Sequence, residues 1–264
     1  MIASLQWWQR GLVGLSLLVL VFLYVPIVIL VMFSFNDSAV TSFPLSGFTL
    51  RWYQQFLANG QMLTALGNSL IVATFATLVS VTVGVTTALA LDRYSFPGKR
   101  LFSNAILLPL SLPGIVTGIA MLNFYKQIGI PQSLTAVVIG HATALLGVVV
   151  SQVMARLAKL NRRLLEASAD LGATPFETFY RVVLPNIRAS ILGSALLCFT
   201  LSFDEIPVTY FLTGREVTLP IYIYSTLRRG ITPEINAVGS VIVAVSFVLV
   251  VLSVTMLRDK SQSR

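Results

Sequence analysis

Two neighbouring carboxylates inside an apolar run are the residues of this sequence best placed to do chemistry. They lie in Thr200-Leu201-Ser202-Phe203-Asp204-Glu205-Ile206-Pro207. Ionisable groups within a lipid-embedded helix are costly, and they usually face a protein interior or a water-filled cavity. Pro207 has no N–H to donate, and its ring obstructs the carbonyl four residues earlier, that of Phe203. Two carboxylates and a spare carbonyl in one turn are all acceptors, a set suited to a cation or a hydrogen-bond donor. Adjacent helical residues point about 100° apart. Two arrangements therefore stand open: both acids reach one cavity, or one does while the other caps a helix or pairs elsewhere.

The second signal is the stretch 156–189. Arg162-Arg163-Leu164-Leu165-Glu166-Ala167-Ser168-Ala169-Asp170-Leu171 reads as a short helix. Glu166 stands four residues after Arg162 and three after Arg163, the spacing of helix neighbours. Gly172 suits the left-handed position after a helix end. Thr174, Pro175 and Glu177 then form a capping box with proline at the first helical position. Val182-Val183-Leu184-Pro185 is expected to end this segment. Helix, glycine turn, helix is either a cover for a bundle or a rigid knob for a soluble partner.

Other reactive types carry less. One His and one Cys exclude a multi-His metal site, a disulfide framework and a Cys-rich cluster. His141 is expected to be a packed, hydrogen-bonding residue and Cys198 a small core residue. Gly14-Leu15-Ser16 matches G-x-S, but a nucleophile elbow needs a strand-to-helix turn. The sequence has no G-x-x-x-x-G-K-[ST], so a P-loop ATPase is excluded.

The elements that must hold these residues are membrane helices. Of 264 residues, 56% are apolar and 11% charged, against about 25% charged in an average soluble domain. The mean hydropathy is +0.84. A soluble domain and a disordered chain are both excluded. A spanning helix needs about 20 apolar residues, and six stretches qualify: Gly11–Phe35, Leu66–Leu91, Leu101–Tyr125, Leu134–Ala155, Ser190–Leu212 and Ile235–Leu257. The first is too long for a secretory signal and is expected to be a retained span. The fold class is all-α, a polytopic membrane protein with one transmembrane domain over residues 1–264.

Asp204 falls roughly 21 Å along the fifth span. In a hydrocarbon core of about 30 Å that is past the midplane, toward the outer side. With the N-terminus inside, 13 Lys and Arg fall on the cytoplasmic side and 5 outside: Arg51, Lys126, Arg215, Arg228 and Arg229. That asymmetry favours both termini in the cytoplasm. It also accounts for the net charge of +8, so nucleic acid is not expected as a partner. In the third span, Pro109 and Pro113 predict either a packing kink or a break lining a pathway. In the first outer loop, Leu50, Tyr53 and Leu57 share one face, with Trp52 and Phe56 beside them. That pattern is either an interfacial helix or a lid packed on the bundle.

Glu166-Ala167-Ser168, Gly172 and Val182-Val183-Leu184-Pro185 resemble the E-A-A-x3-G-x9-I-x-L-P signature of ABC importer permeases. Ser168 replaces the second Ala and Val182 the Ile. The resemblance implies a type I importer permease fold in the bacterial inner (plasma) membrane. It implies that Glu166, Ala167, Asp170, Gly172 and Pro185 couple to an ATPase. It further implies a second permease subunit, two ATPase subunits that bind the ATP and Mg, and an external substrate-binding protein. This chain itself would carry no cofactor and no enzymatic activity.

Ser202-Phe203-Asp204-Glu205 with Thr209-Tyr210-Phe211 is similar to a segment of spermidine/putrescine permeases. So are Leu219-Pro220-Ile221-Tyr222-Ile223-Tyr224-Ser225 and Gly47-Phe48-Thr49 with Arg51-Trp52-Tyr53. This implies import of a polyamine or similar small cation, with Asp204, Glu205, Phe203 and Tyr210 along the substrate pathway. An opine, an aminophosphonate, another amine or ferric iron is the alternative solute within the same class. An ion-coupled secondary carrier is the alternative of another class, and the paired internal repeats common in such carriers are not visible.

Overall fold

The computed structural model describes residues 7–38, 40, 42–228, 230 and 233–262, with side chains as far as residue 247. Among these the helices run α1 (Trp7–Ser34), α2 (Arg51–Ala58), α3 (Gly60–Arg93), α4 (Lys99–Ser111), α5 (Gly114–Gln127), α6 (Leu134–Leu157), α7 (Arg163–Asp170), α8 (Pro175–Thr178), α9 (Leu184–Phe203), α10 (Pro207–Leu212), α11 (Leu219–Leu227) and α12 (Pro233–Gln262). Extended structure among the described residues is one isolated bridge, Asn36 with Phe48. The chain divides into two compact units, Met1–Leu63 with Ile223–Arg264, and Thr64–Tyr222.

In the first unit, α1 and α2 pack on α12. α1 is apolar on all sides and exposed along most of its length, as with Leu18, Phe22 and Tyr24. Such a helix belongs in lipid or among other helices. α2 is anchored through polar tips on an apolar face. Trp52 and Phe56 are buried, and the Trp52 indole N–H donates to the Asn36 carbonyl at 2.7 Å. The Tyr53 hydroxyl lies between those of Ser34 (2.7 Å) and Ser240 (2.8 Å). The packed face is therefore the Trp52–Phe56 side, while Leu50 and Leu57 are exposed. The indole and phenol hydrogen bonds decide which side turns inward, a constraint that apolar spacing does not contain.

In the second unit, α6 is the most buried helix, with Val137, Val149 and Val153 fully enclosed. One cluster gathers Val149, Val153 and Leu157 with Ala88, Ile187 and Cys198. Another gathers Ala136 and Val137 with Val72, Tyr125, Val208 and Leu212. Cys198 is the core residue its type suggests. Gly140 lets α10 approach closely, because a Cβ there would collide with Leu212.

The third expected span is broken. α4 and α5 meet at Leu112-Pro113 with a bend of 113°. Leu112 is held extended (φ −86°, ψ 142°) before the proline, the conformation a pre-proline residue prefers. Pro109 remains within α4. The fifth expected span, Ser190–Leu212, is also interrupted: α9 ends at Phe203 and α10 starts at Pro207. At its other end the helix is longer than the sequence suggested. Pro185 does not end the segment; helix runs from Pro175 to Phe203, 29 residues. Phe179–Val183 forms a π-helical turn just before it, and the Leu184 N–H bonds the Phe179 carbonyl. The wider turn accommodates the missing N–H and bulky ring of Pro185.

Four helices are long and apolar enough to cross a membrane, or five if the bent α4–α5 pair counts as one span. The sixth expected span, Ile235–Leu257, coincides with the 30-residue α12. Its side chains past 247 lie outside the described residues, with those of Arg258 and Lys260; Arg229 and Arg264 lie outside them altogether.

Candidate functional site

The carboxylates stand where α9 gives way to α10. α9 cannot continue, since Pro207 would remove a hydrogen bond and crowd the Phe203 carbonyl. Asp204 closes the helix, its N–H bonding the Thr200 carbonyl at 3.2 Å. Pro207 opens the next helix, where its fixed φ is an advantage. The Glu205 carboxylate accepts from the Val208 N–H at 2.9 Å, and the Thr209 hydroxyl donates to the Glu205 carbonyl at 2.9 Å. Both ring nitrogens of His141 reach this region: Nδ1 is 2.8 Å from the Ser202 hydroxyl and Nε2 is 2.9 Å from that of Thr209. His141 is thus the packed, hydrogen-bonding residue expected for it.

A cavity of about 210 Å³ opens against this junction. Glu205, Ser202 and His141 line one part of it, and Leu110, Leu112 and Gly114 line another. The two interruptions of the helical ladder, at Pro113 and before Pro207, therefore border one space. Glu205 is half-buried at its wall. Asp204 is exposed and outside the lining. Phe203 is half-buried and stacks on Phe199 at 6.2 Å. Tyr210 is exposed and meets Phe211 edge-on at 5.5 Å. The structure separates the acids: Glu205 joins the cavity, while Asp204, Phe203 and Tyr210 do not line it. An acceptor carboxylate in a small, largely apolar space binds a donor or cation best, since pairing offsets the cost of holding the charge there.

The second candidate is the segment around Gly172. α7 ends in a Schellman arrangement: Ala173 N–H bonds the Ser168 carbonyl (3.1 Å) and Gly172 N–H that of Ala169 (2.8 Å). Gly172 adopts φ +78°, which glycine accepts without steric cost. The Thr174–Glu177 capping box is complete, with the Thr174 N–H donating to the Glu177 carboxylate at 2.9 Å. Ser168 and Thr178 share a hydroxyl hydrogen bond of 2.9 Å that ties α7 to α8.

Glu166, Ala167, Asp170, Gly172 and Pro185 are all exposed. Around them stand exposed Leu164, Leu171, Phe176 and Tyr180, with Leu171 at 88%. A rigid element carrying exposed apolar side chains beside acids is the make-up of a docking surface. The arginine pairing differs from the expected one. Arg162 grips Asp92 at the end of α3, with bonds of 2.6 and 2.9 Å, rather than Glu166. The fork of a guanidinium fits both carboxylate oxygens at once, a geometry an i,i+4 neighbour on a short exposed helix seldom offers. Asp92 lies 70 residues away in sequence, so no local spacing pointed to it.

The model of the "Binding-protein-dependent transport system inner membrane component" family matches residues 80–264. The chain is 35% identical over 250 residues to the spermidine/putrescine transport system permease protein PotC of Escherichia coli (strain K12), covering 94% of each. It is 35% identical over 229 residues to the putrescine transport system permease protein PotI of the same strain, covering 84% of this chain and 81% of the relative. Among solved structures, it resembles a chain of a bacterial ABC transporter involved in the import of the acidic polysaccharide alginate. That match has a TM-score of 0.72 at 18% identity and covers 97% of this chain and 98% of the other. At this identity the likeness is one of fold.

Proposed function

The chain belongs to the inner-membrane components of binding-protein-dependent transport systems, and from that premise we propose that it is the permease subunit of an ATP-driven importer of polyamines. Glu205 at the wall of the cavity between two helix interruptions carries this reading. A polyamine is an elongated chain of ammonium groups, each a donor and a cation, and Glu205 is an acceptor held in place by its own helix junction. The names of the relatives, which state spermidine and putrescine, support the solute class. Import would proceed by alternating access, with differential binding to inward- and outward-open states as its thermodynamic basis.

The partners follow from the same reading. A second permease subunit completes the translocation path. Two ATPase subunits hold the ATP and Mg, and they dock on the exposed α7–α8 knob through Glu166, Ala167, Asp170 and Gly172, and on the start of α9 through Pro185. An external binding protein delivers the solute; one of the structural neighbours is a complex with a substrate-bound periplasmic protein. The Lys and Arg distribution supports cytoplasmic termini and a cytoplasmic knob.

The test is ATP hydrolysis by the reconstituted complex with its binding protein, comparing spermidine, putrescine, an opine and an aminophosphonate. Stimulation by the two polyamines alone is the expected result. Stimulation by another solute instead would keep the permease and discard the polyamine.

A further inference from the structure

His141 does more than fill a core position. It is 2% exposed, it projects from the most buried helix of its unit, and both its nitrogens are engaged. Thr209 commits its hydroxyl hydrogen to the Glu205 carbonyl. Its oxygen is then left to accept, so Nε2 of His141 must carry the ring hydrogen. Nδ1 is consequently an acceptor and takes the hydrogen of Ser202. The chain Ser202 to His141 to Thr209 to the Glu205 carbonyl is closed, with every donor and acceptor used by a neutral imidazole.

Ser202 is at the end of α9 and Thr209 is in α10. The imidazole therefore grips the chain on both sides of the interruption, and Glu205 is within the arch it spans. Between Phe203 and Pro207 the helical ladder is broken, because Pro207 supplies no N–H for the Phe203 carbonyl. We infer that His141 is a positioning residue for solute passage: it fixes the Glu205 carboxylate at the cavity wall by pinning α9 and α10 to α6. This inference rests on the reading of Glu205 as a pathway residue.

The experiment uses the complete complex in proteoliposomes with its binding protein, and reads spermidine taken up per ATP hydrolysed. His141→Leu removes both bonds and is expected to lower that ratio about tenfold while the complex still assembles. His141→Gln offers one donor and one acceptor and is expected to keep at least about half of it. If His141 acts through Glu205, the double variant His141→Leu/Glu205→Gln is no worse than Glu205→Gln alone.

Losses that multiply in the double variant, with Glu205→Gln itself impaired, overturn the role of His141 alone. Wild-type uptake by Glu205→Gln overturns the pathway reading and the inference with it. Should His141→Leu fail to assemble, Ser202→Ala cuts the Nδ1 tether alone, and Thr209→Val cuts the Nε2 tether together with the bond to the Glu205 carbonyl. A lowered ratio in assembled complexes supports the inference, and an unchanged ratio or failed assembly in both makes His141 a fold pin only.

Discussion

Asp204 and Glu205 are chemically alike and adjacent, yet only one lines the cavity, and the reason is that α9 ends at Phe203, just before them. A carboxylate on a continuous helix has its direction set by the 100° step. Here the step stops at Phe203, so direction is set by the junction: Asp204 closes α9 while Glu205 folds back onto the Val208 N–H. The presence of the acids and the effect of Pro207 were legible in the sequence. Which acid faces the cavity was not, because it depends on Ser202 and Thr209 finding His141 more than sixty positions earlier. The expected outcome of mutagenesis follows. Glu205→Gln should lower polyamine uptake about tenfold or more at limiting substrate, and Asp204→Asn less than about threefold, measured in proteoliposomes at equal complex content. The reverse order would assign the pathway to the exposed acid.

The knob shows where local rules suffice and where they stop. Its glycine turn and capping box were legible because both are made of neighbours: Gly172 at φ +78° and Thr174 with Glu177. Gly172→Ala forces a side chain into the left-handed region, at a cost of about 1 kcal/mol. Retention of ATPase subunits during purification should fall accordingly, and retention equal to wild type would remove the turn from the docking surface.

The capping box also has a pH dependence. Two hydrogen bonds hold the Glu177 carboxyl below its ordinary value, first from the Thr174 backbone N–H and then from its hydroxyl. A lowered pKa in the folded state means the box contributes at neutral pH and fails as the pH falls through that lowered value. Amide protection of Thr174, corrected for intrinsic exchange, should therefore drop only below the ordinary glutamate range and remain flat above it. The Arg162–Asp92 clamp and the π-helical turn at Phe179–Val183 were not legible. One joins residues far apart in sequence, and the other replaces a helix end that Pro185 appeared to demand.

At the scale of the molecule, composition alone excluded a soluble protein, and the all-helical fold followed from six apolar stretches. The bend of 113° at Pro113 did not, because Pro109 and Pro113 are equal candidates until packing decides between them. A permease should bring its ATPase subunits through affinity purification in mild detergent, whereas an ion-coupled carrier should emerge without them. Asp92→Asn should leave that association intact but lower uptake per ATP about two- to threefold, since it frees the knob from α3 at a cost of about 1 kcal/mol or less. Wild-type uptake per ATP would show that α3 takes no part in transmission. If motion passes along the helix from Pro175 to Phe203, that helix is a lever. Its 29 residues span about 43 Å, with the knob as its foot and the Glu205 junction as its head. A tilt of about 5° at the foot sweeps the head through about 4 Å, a stroke longer than a hydrogen bond. Were the knob to rock by that small angle, the far end would be displaced by more than the hydrogen bonds around the Glu205 carboxylate can span.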